Sequence, residues 1–377
     1  MTPIEHIKRR LKGFAPAEPS APDLVWSNNG ECCPIEAQMF PAPELLLFLL
    51  RGICEFPLGY RGDKTHWIVP FTYKGINYAV SHEKFGLRIY VSKGSEAKPQ
   101  EVLGKLKKAL ESAEKHILRD FANEQIQNGN ITIYNQFNQL DGQYRYFRDK
   151  AKSAYTPQED MDTSEDVVRS IAKVMSMHFE ASRDGGYNSL AMIDAYFSRL
   201  EHFLVLALPF VGYDRQKENL SEFVGLIWSD KIRRVLNIAD STTQQHYYAL
   251  VQVKEKYRNT FAHGGFEKNG QSFFFHLGQF GAIPASMSGR RDSVHFNFFP
   301  IDKETFEGVC ILLDAFDTYL SNEVLSDAWK FAQSGLNLAM DEKNLSELLE
   351  VIKDPDTYDA WIDRQSCLSD MYANADY

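Results

Sequence analysis

Cysteine is scarce, with five residues in a chain of 377, at Cys32, Cys33, Cys54, Cys310 and Cys367. Their number is odd and none has C-x2-C spacing, so neither a disulfide framework nor a zinc site is expected. That usage fits a reduced, intracellular protein. Long apolar runs are missing too: the greasiest stretch, ELLLFLLRGI at Glu44 to Ile53, falls far short of the ~20 residues that cross a bilayer. The opening MTPIEHIKRRLKGFAPAEP has basic residues with no apolar core behind them, unlike a secretory leader. A cytoplasmic protein with no membrane partner is expected. Positive charge is also deficient, with 51 acidic against 41 basic residues and a net charge of −10. This excludes broad electrostatic coating of nucleic acid, so a nucleic-acid role would need a local basic surface. There is no HExxH, no glycine-rich phosphate loop after a strand and no nucleophile elbow. The SHEK at Ser81 to Lys84 lacks a second histidine, and the paired acids Asp160 and Asp162 fall in a linker. No metal and no cofactor are expected, and no internal repeat is visible.

Hydrophobic residues make up 44% of the chain, ample for packed interiors, and its length fits two or three domains. Gly13 to Pro43 has no sustained period and reads as an irregular arm before the short helix at Glu44 to Ile53. His66 to Val91 is dense in aromatic and β-branched residues broken at KG and FG, the pattern of a small antiparallel meander. Lys98 to Asn128 then shows the three, four and seven residue steps of an amphipathic helix. The following ITIYNQFNQLDGQYRYFRDK reads either as a strand or as a polar surface segment with stacking aromatics. The acidic YTPQEDMDTSE at Tyr155 to Glu165 places the main boundary. Beyond it four helices are expected: Asp166 to Ser182, then after an RDGG break Tyr187 to Phe210, then ENLSEFVGLIWSDKIRRVLNI, then Ser241 to His263. A strand pair, SFFFHLGQF with VHFNFFP, interrupts before helices at Asp302 to Leu320, Ser326 to Met340 and Leu345 to Asp363. The fold class is thus α+β. A small antiparallel sheet plus helix fills 1–155, a helical bundle with a short β-hairpin insertion 156–325, and a helical extension 326–377.

Within the fourth helix lies KYRNTFAHGG, Lys256 to Gly265. The spacing of arginine, four residues and histidine is weak by itself, since composition alone gives roughly half a hit. The chain holds three, and those at Arg61 to His66 and Arg290 to His295 fall in loops. Arg258 to His263 differs in its surroundings. On a helical wheel Leu250, Val253, Tyr257 and Phe261 share one direction and form the buried stripe. Arg258, Asn259 and His263 turn away from it. The bland reading of such a trio is a solvated helix face. Gly264 and Gly265 stand where a helix ends, which puts His263 against unpaired carbonyls and biases it towards its protonated form. There it could donate a proton to a leaving oxygen or hold a phosphate, while Arg258 offers a fork of donors to negative charge.

At these residues the sequence resembles the HEPN family, the higher eukaryotes and prokaryotes nucleotide-binding domains, over about Ser164 to Asn322. The catalytic members carry an arginine, a polar residue and a histidine four to six positions after the arginine on a helical bundle. The resemblance implies a HEPN-like bundle that pairs as a homodimer with a composite active site. Its implied chemistry is metal-independent RNA cleavage, in which a 2′-hydroxyl attacks the neighbouring phosphate. It also implies a defence role against phage, as an abortive-infection effector or toxin, with tRNA or mRNA as substrate and a phage-derived trigger or an antitoxin as partner. His263 would then act in proton transfer or phosphate binding, Arg258 would stabilise the charged transition state, and Asn259 would position the histidine or a phosphate oxygen. Residues 1–155 would sense the trigger or select the RNA. Lys254 and Arg234 are the expected substrate-binding cations, with Lys231, Arg233, Lys256, Arg290 and Arg291 as further members of a basic patch. Glu201 reads either as a partner of Arg258 or as an ordinary polar-face residue. The family also contains members that dimerise and bind nucleotide or a partner protein without cutting, which is the alternative reading.

Overall fold

The computed structural model describes residues 2–374 except 19–22, 28, 61–63, 157–166, 216, 260–272, 277 and 286–300. At 167–175, 259, 273–275, 280, 282–285 and 372–374 the backbone alone is described. Helix and antiparallel sheet are both present, so the class is α+β. Two compact units form, Met1–Gln127 with Leu368–Tyr377, and Asn128–Cys367. Among the described residues no helix is long and apolar enough to cross a membrane.

The first unit begins with α1 (Pro3–Arg10) and is built on a five-stranded sheet of order β1-β3-β4-β5-β2. Its centre is the expected meander, β3 (Thr65–Tyr73), β4 (Ile76–Glu83) and β5 (Gly86–Ser92). Alternation sets its faces, for Trp67, Val69 and Phe71 enter the main core while Ile68 lies in a smaller cluster with Leu24, Ala79 and Tyr90. The β3–β4 turn needs left-handed backbone at two successive residues, Lys74 at φ 51° and Gly75 at φ 80°. Glycine supplies the second at no steric cost, as a primed hairpin turn requires. The edges come from the segment read as an irregular arm: β1 (Phe14–Pro16) pairs with β3, and β2 (Gly30–Pro34) with β5. Short edge strands containing proline have no periodicity to betray them. The main core is completed by α2 (Pro43–Leu47) with the π-helical turn that continues it, and by α3 (Pro99–Ala113), which buries Val102, Leu103, Leu106, Ala109 and Leu110. A π-helical turn then leads into α4 (Arg119–Gln127).

The second unit starts earlier than the boundary expected at 155. The ambiguous ITIYNQFNQLDGQYRYFRDK forms a two-residue strand, β6 (Thr132–Ile133), and a helix, α5 (Phe137–Ala154). Phe137, Tyr144 and Ala151, at seven-residue steps, are buried in the core of this unit. Its centre is α6 (Val167–Ala207), a single helix where two were expected. The RDGG tetrapeptide does not break it because Gly185 is where the Tyr155 ring lies against the helix. A Cβ there would come within 2.5 Å of Tyr155 Cζ. Glycine is used for close approach, and its cost in helix propensity, about 1 kcal/mol, is offset by that contact.

Three shorter helices follow, α7 (Leu220–Gly225), α8 (Trp228–Val235) and α9 (Ser241–Val253). The hairpin that interrupts the helices joins β7 (Phe273–His276) to β8 (Ala282–Ala285). The partner expected for that strand, VHFNFFP, lies outside the described residues. The C-terminal helices α10 (Lys303–Tyr319), α11 (Ser326–Ser334), α12 (Glu342–Val351) and α13 (Pro355–Asn374) complete the chain, with β9 (Leu338–Ala339) paired to β6. The stretch from 326 is no separate extension as far as Tyr358. Ala328, Phe331, Ala332, Leu345, Leu348 and Tyr358 are buried in the same core as α5 and α6.

Candidate functional site

The helix carrying the motif is started by Asp240, whose carboxylate accepts the Thr243 backbone N–H at 2.8 Å. Leu250, Val253 and Tyr257 are buried, as the wheel requires. Beyond Val253 the helix widens into a π-helical turn over Lys254–Asn259, a deformation that recurs at functional sites. The turn presents Lys254 and Arg258 one after the other. The side chain of Asn259, the ring of His263 and the glycines behind it lie outside the described residues.

Arg258 keeps 26% of its side chain exposed and faces α6. Its Nε donates to Asp194 Oδ1 at 2.7 Å, its Nη1 stands 4.0 Å from Glu201 Oε1, and its guanidinium carbon lies 5.7 Å from the Phe197 ring centroid. Asp194, Phe197 and Glu201 are spaced by three and four residues, so they line one face of α6. Glu201 therefore does meet Arg258. It also accepts from Lys231 Nζ of α8 at 3.4 Å, and that lysine is buried.

Lys254 completes the group without joining an ion pair. Its Nζ lies 4.7 Å from the Trp228 ring centroid and 5.7 Å from that of Phe197, and the two rings meet edge to face at 5.2 Å. Among the described residues no carboxylate oxygen lies within the 4.0 Å of an ion pair with it. Burial, with the neighbouring Arg258 charge second, lowers its ammonium pKa to about 8, while Glu201 and Asp194 work the other way. Three cations thus face two carboxylates, a surplus of one positive charge in a chain whose net charge is −10.

The other expected cations are placed differently. Arg234 is bound by Glu218, with Nε to Oε2 at 2.5 Å and Nη2 to Oε1 at 2.6 Å, a bidentate fork. Arg233 donates to Asp230 and to the Tyr247 hydroxyl, and Lys256 sits over the Tyr257 ring. Arg290 and Arg291 lie outside the described residues. Among the described residues no three His, Cys, Asp or Glu side chains come together as a metal centre needs. Asp194, Phe197 and Trp228 were not legible as site residues. The 194/197/201 spacing is visible on paper, but which helix that face meets is a matter of packing. No protein-family model, no curated protein and no solved structure matches this chain.

Proposed function

We propose that this protein is a metal-independent endoribonuclease with a HEPN-like bundle in its second unit. The observation that carries the reading is Arg258, held about a quarter exposed on a widened helical turn with Lys254 one turn before it. An arginine fork so placed can take up the charge that develops on phosphate as a 2′-hydroxyl attacks, and it needs no metal to do so. Its hold on Asp194 does not prevent this. Asp194 is 62% exposed, and a pair so open to water is worth ~0–1 kcal/mol, so a phosphate oxygen can displace it. In this reading His263 protonates the leaving 5′-oxygen, Asn259 positions the imidazole or a phosphate oxygen, and the products are a 2′,3′-cyclic phosphate and a 5′-hydroxyl. A homodimer builds the composite site, RNA such as tRNA or mRNA is the substrate, and a phage-derived trigger or an antitoxin controls it through the first unit.

The same ion pair favours a second reading. Arg258 held by Asp194 and neighboured by Glu201 also suits a module that dimerises and binds nucleotide or a partner protein without cutting. Purified protein incubated with total RNA in EDTA separates the two. Wild type is expected to leave 2′,3′-cyclic phosphate ends, and Arg258→Ala and His263→Ala are each expected to slow cleavage by 10²-fold or more, roughly the worth of one transition-state donor. Equal cleavage by all three, or none by wild type under any trigger, removes the nuclease reading.

A further inference from the structure

We propose that Lys254 is the general base of this site, taking the proton from the attacking 2′-hydroxyl of bound RNA. The assignment rests on the ribonuclease reading and gives it a group that the arginine and histidine pattern leaves out. A cleavage that starts from a hydroxyl needs an acceptor for its proton. Arg258 cannot serve, because a guanidinium has no acceptor and does not deprotonate in proteins. Of the two carboxylates, Asp194 accepts from Arg258 and Glu201 lies between Arg258 and Lys231. Lys254 is the member of the cluster set on aromatic faces instead of on a carboxylate, with Trp228 beneath it at 4.7 Å and Phe197 at 5.7 Å.

That setting decides its protonation. An ammonium half withdrawn from water and next to a guanidinium loses protons more readily than one in solvent. The charged groups facing it are Arg258 on its own helix and Asp194 and Glu201 on α6, with the two carboxylates opposing the shift. With a pKa of about 8, roughly a tenth of the amine is neutral at pH 7, on the order of 300-fold more than for an ordinary lysine. A base is most effective when its pKa lies near the working pH. The step balances: the Lys254 lone pair takes the 2′-hydroxyl proton, the O2′ electron pair forms a bond to phosphorus, and the P–O5′ bond breaks. Arg258 faces the charge on phosphate, and the leaving 5′-oxygen takes its proton from the imidazolium assigned to His263.

The test uses the full chain, a short RNA and single-turnover cleavage across pH 5.5–9.5, with RNA affinity measured separately. Wild type is expected to speed up tenfold per pH unit until either the Lys254 ammonium, near pH 8, or the imidazolium assigned to His263 begins to lose its proton. Lys254→Arg keeps the positive charge but cannot lose it. This variant is expected to bind RNA within about threefold of wild type, to cleave 10²-fold or more slowly at pH 7.5, and to lose the rising limb. A Lys254→Arg protein that keeps the rate and the limb shows that only a cation is needed and overturns the assignment. A second readout needs no activity. In competitive acetylation at pH 8, Lys254 of wild type is expected to react about tenfold faster than exposed lysines, and reaction at the ordinary rate overturns the assignment as well. Failure of wild type to cleave RNA at all removes the ribonuclease reading itself, which the acetylation result distinguishes from a failure of Lys254 alone.

Discussion

Replacing Arg199 by methionine tests whether the core of the second unit is specified by charge as well as by shape. Arg199 is 3% exposed, with Nη1 on Asp141 Oδ1 at 2.5 Å and Nη2 on Asp317 Oδ1 at 2.7 Å. Its guanidinium carbon lies 4.8 Å from both the Tyr144 and Tyr196 ring centroids, and the Tyr196 hydroxyl donates to Asp317 at 2.9 Å. Methionine fills much of the same volume, so the perturbation is electrostatic: Asp317 loses its counter-ion, while Asp141 keeps Arg145, whose Nε donates to its Oδ2 at 2.5 Å. Breaking a buried ion pair on one side costs about 3–5 kcal/mol. For a unit of this size that is a fall in Tm of roughly 6–20 °C.

The pH dependence has a definite sign. Burial already pushes the Asp317 carboxyl above its ordinary range against the pull of Arg199, and removing Arg199 pushes it higher. A carboxyl raised in the folded state favours folding below its unfolded pKa of ~3.9, and that contribution is lost as pH rises through the folded value. The deficit of Arg199→Met is therefore expected to shrink as pH falls from 7 towards 4. Asp317→Asn added to Arg199→Met is expected to recover about half of the loss at pH 7, because the amide needs no counter-ion. Urea unfolding followed by circular dichroism measures both. A loss below about 1 kcal/mol at pH 7, or no recovery in the double variant, refutes the buried network as a source of stability.

Two further predictions concern the same unit. Gly185→Ala places a methyl group into the Tyr155 ring and is expected to cost about 1–3 kcal/mol in urea unfolding, and a neutral result would show that α6 does not need the close approach. His202 accepts the Gln136 backbone N–H on Nε2 at 2.9 Å, which only the neutral ring can do, and burial holds its pKa below 6.5. Because the folded pKa is depressed, stability is full above 6.5 and is lost as pH falls through the folded value. His202→Gln is expected to flatten this loss between pH 6.5 and 5, and an unchanged profile would assign it to other groups.

Periodicity carried most of the helices and the sheet centre, because a 3.6-residue or two-residue apolar repeat requires only that one face be buried. The buried stripe Leu250, Val253 and Tyr257 was legible in this way, whereas Arg258, off that stripe, faces α6 and keeps 26% of its side chain exposed. What failed was punctuation. The RDGG around Gly185 signals a helix end from composition, yet the glycine is there for the Tyr155 ring brought by a separate helix. Phe14–Pro16 and Gly30–Pro34 are strands only because the β3 and β5 edges are there to pair with them. The acidic segment near 155 looks like a domain border, but α5 before it shares the core behind it.

At the site, the sequence by itself determined that Lys254 and Arg258 share a helix one turn apart, and that Asp194, Phe197 and Glu201 share a face of another. Tertiary packing decided that those two faces meet, that Glu201 stands between Arg258 and Lys231, and that Lys254 rests on Trp228 and Phe197 while Arg234, its expected companion, is taken by Glu218. The reason is range. A helix repeat is a local property of consecutive residues, whereas the pairing of a charge and the dielectric around an amine depend on chain segments that sequence spacing does not connect.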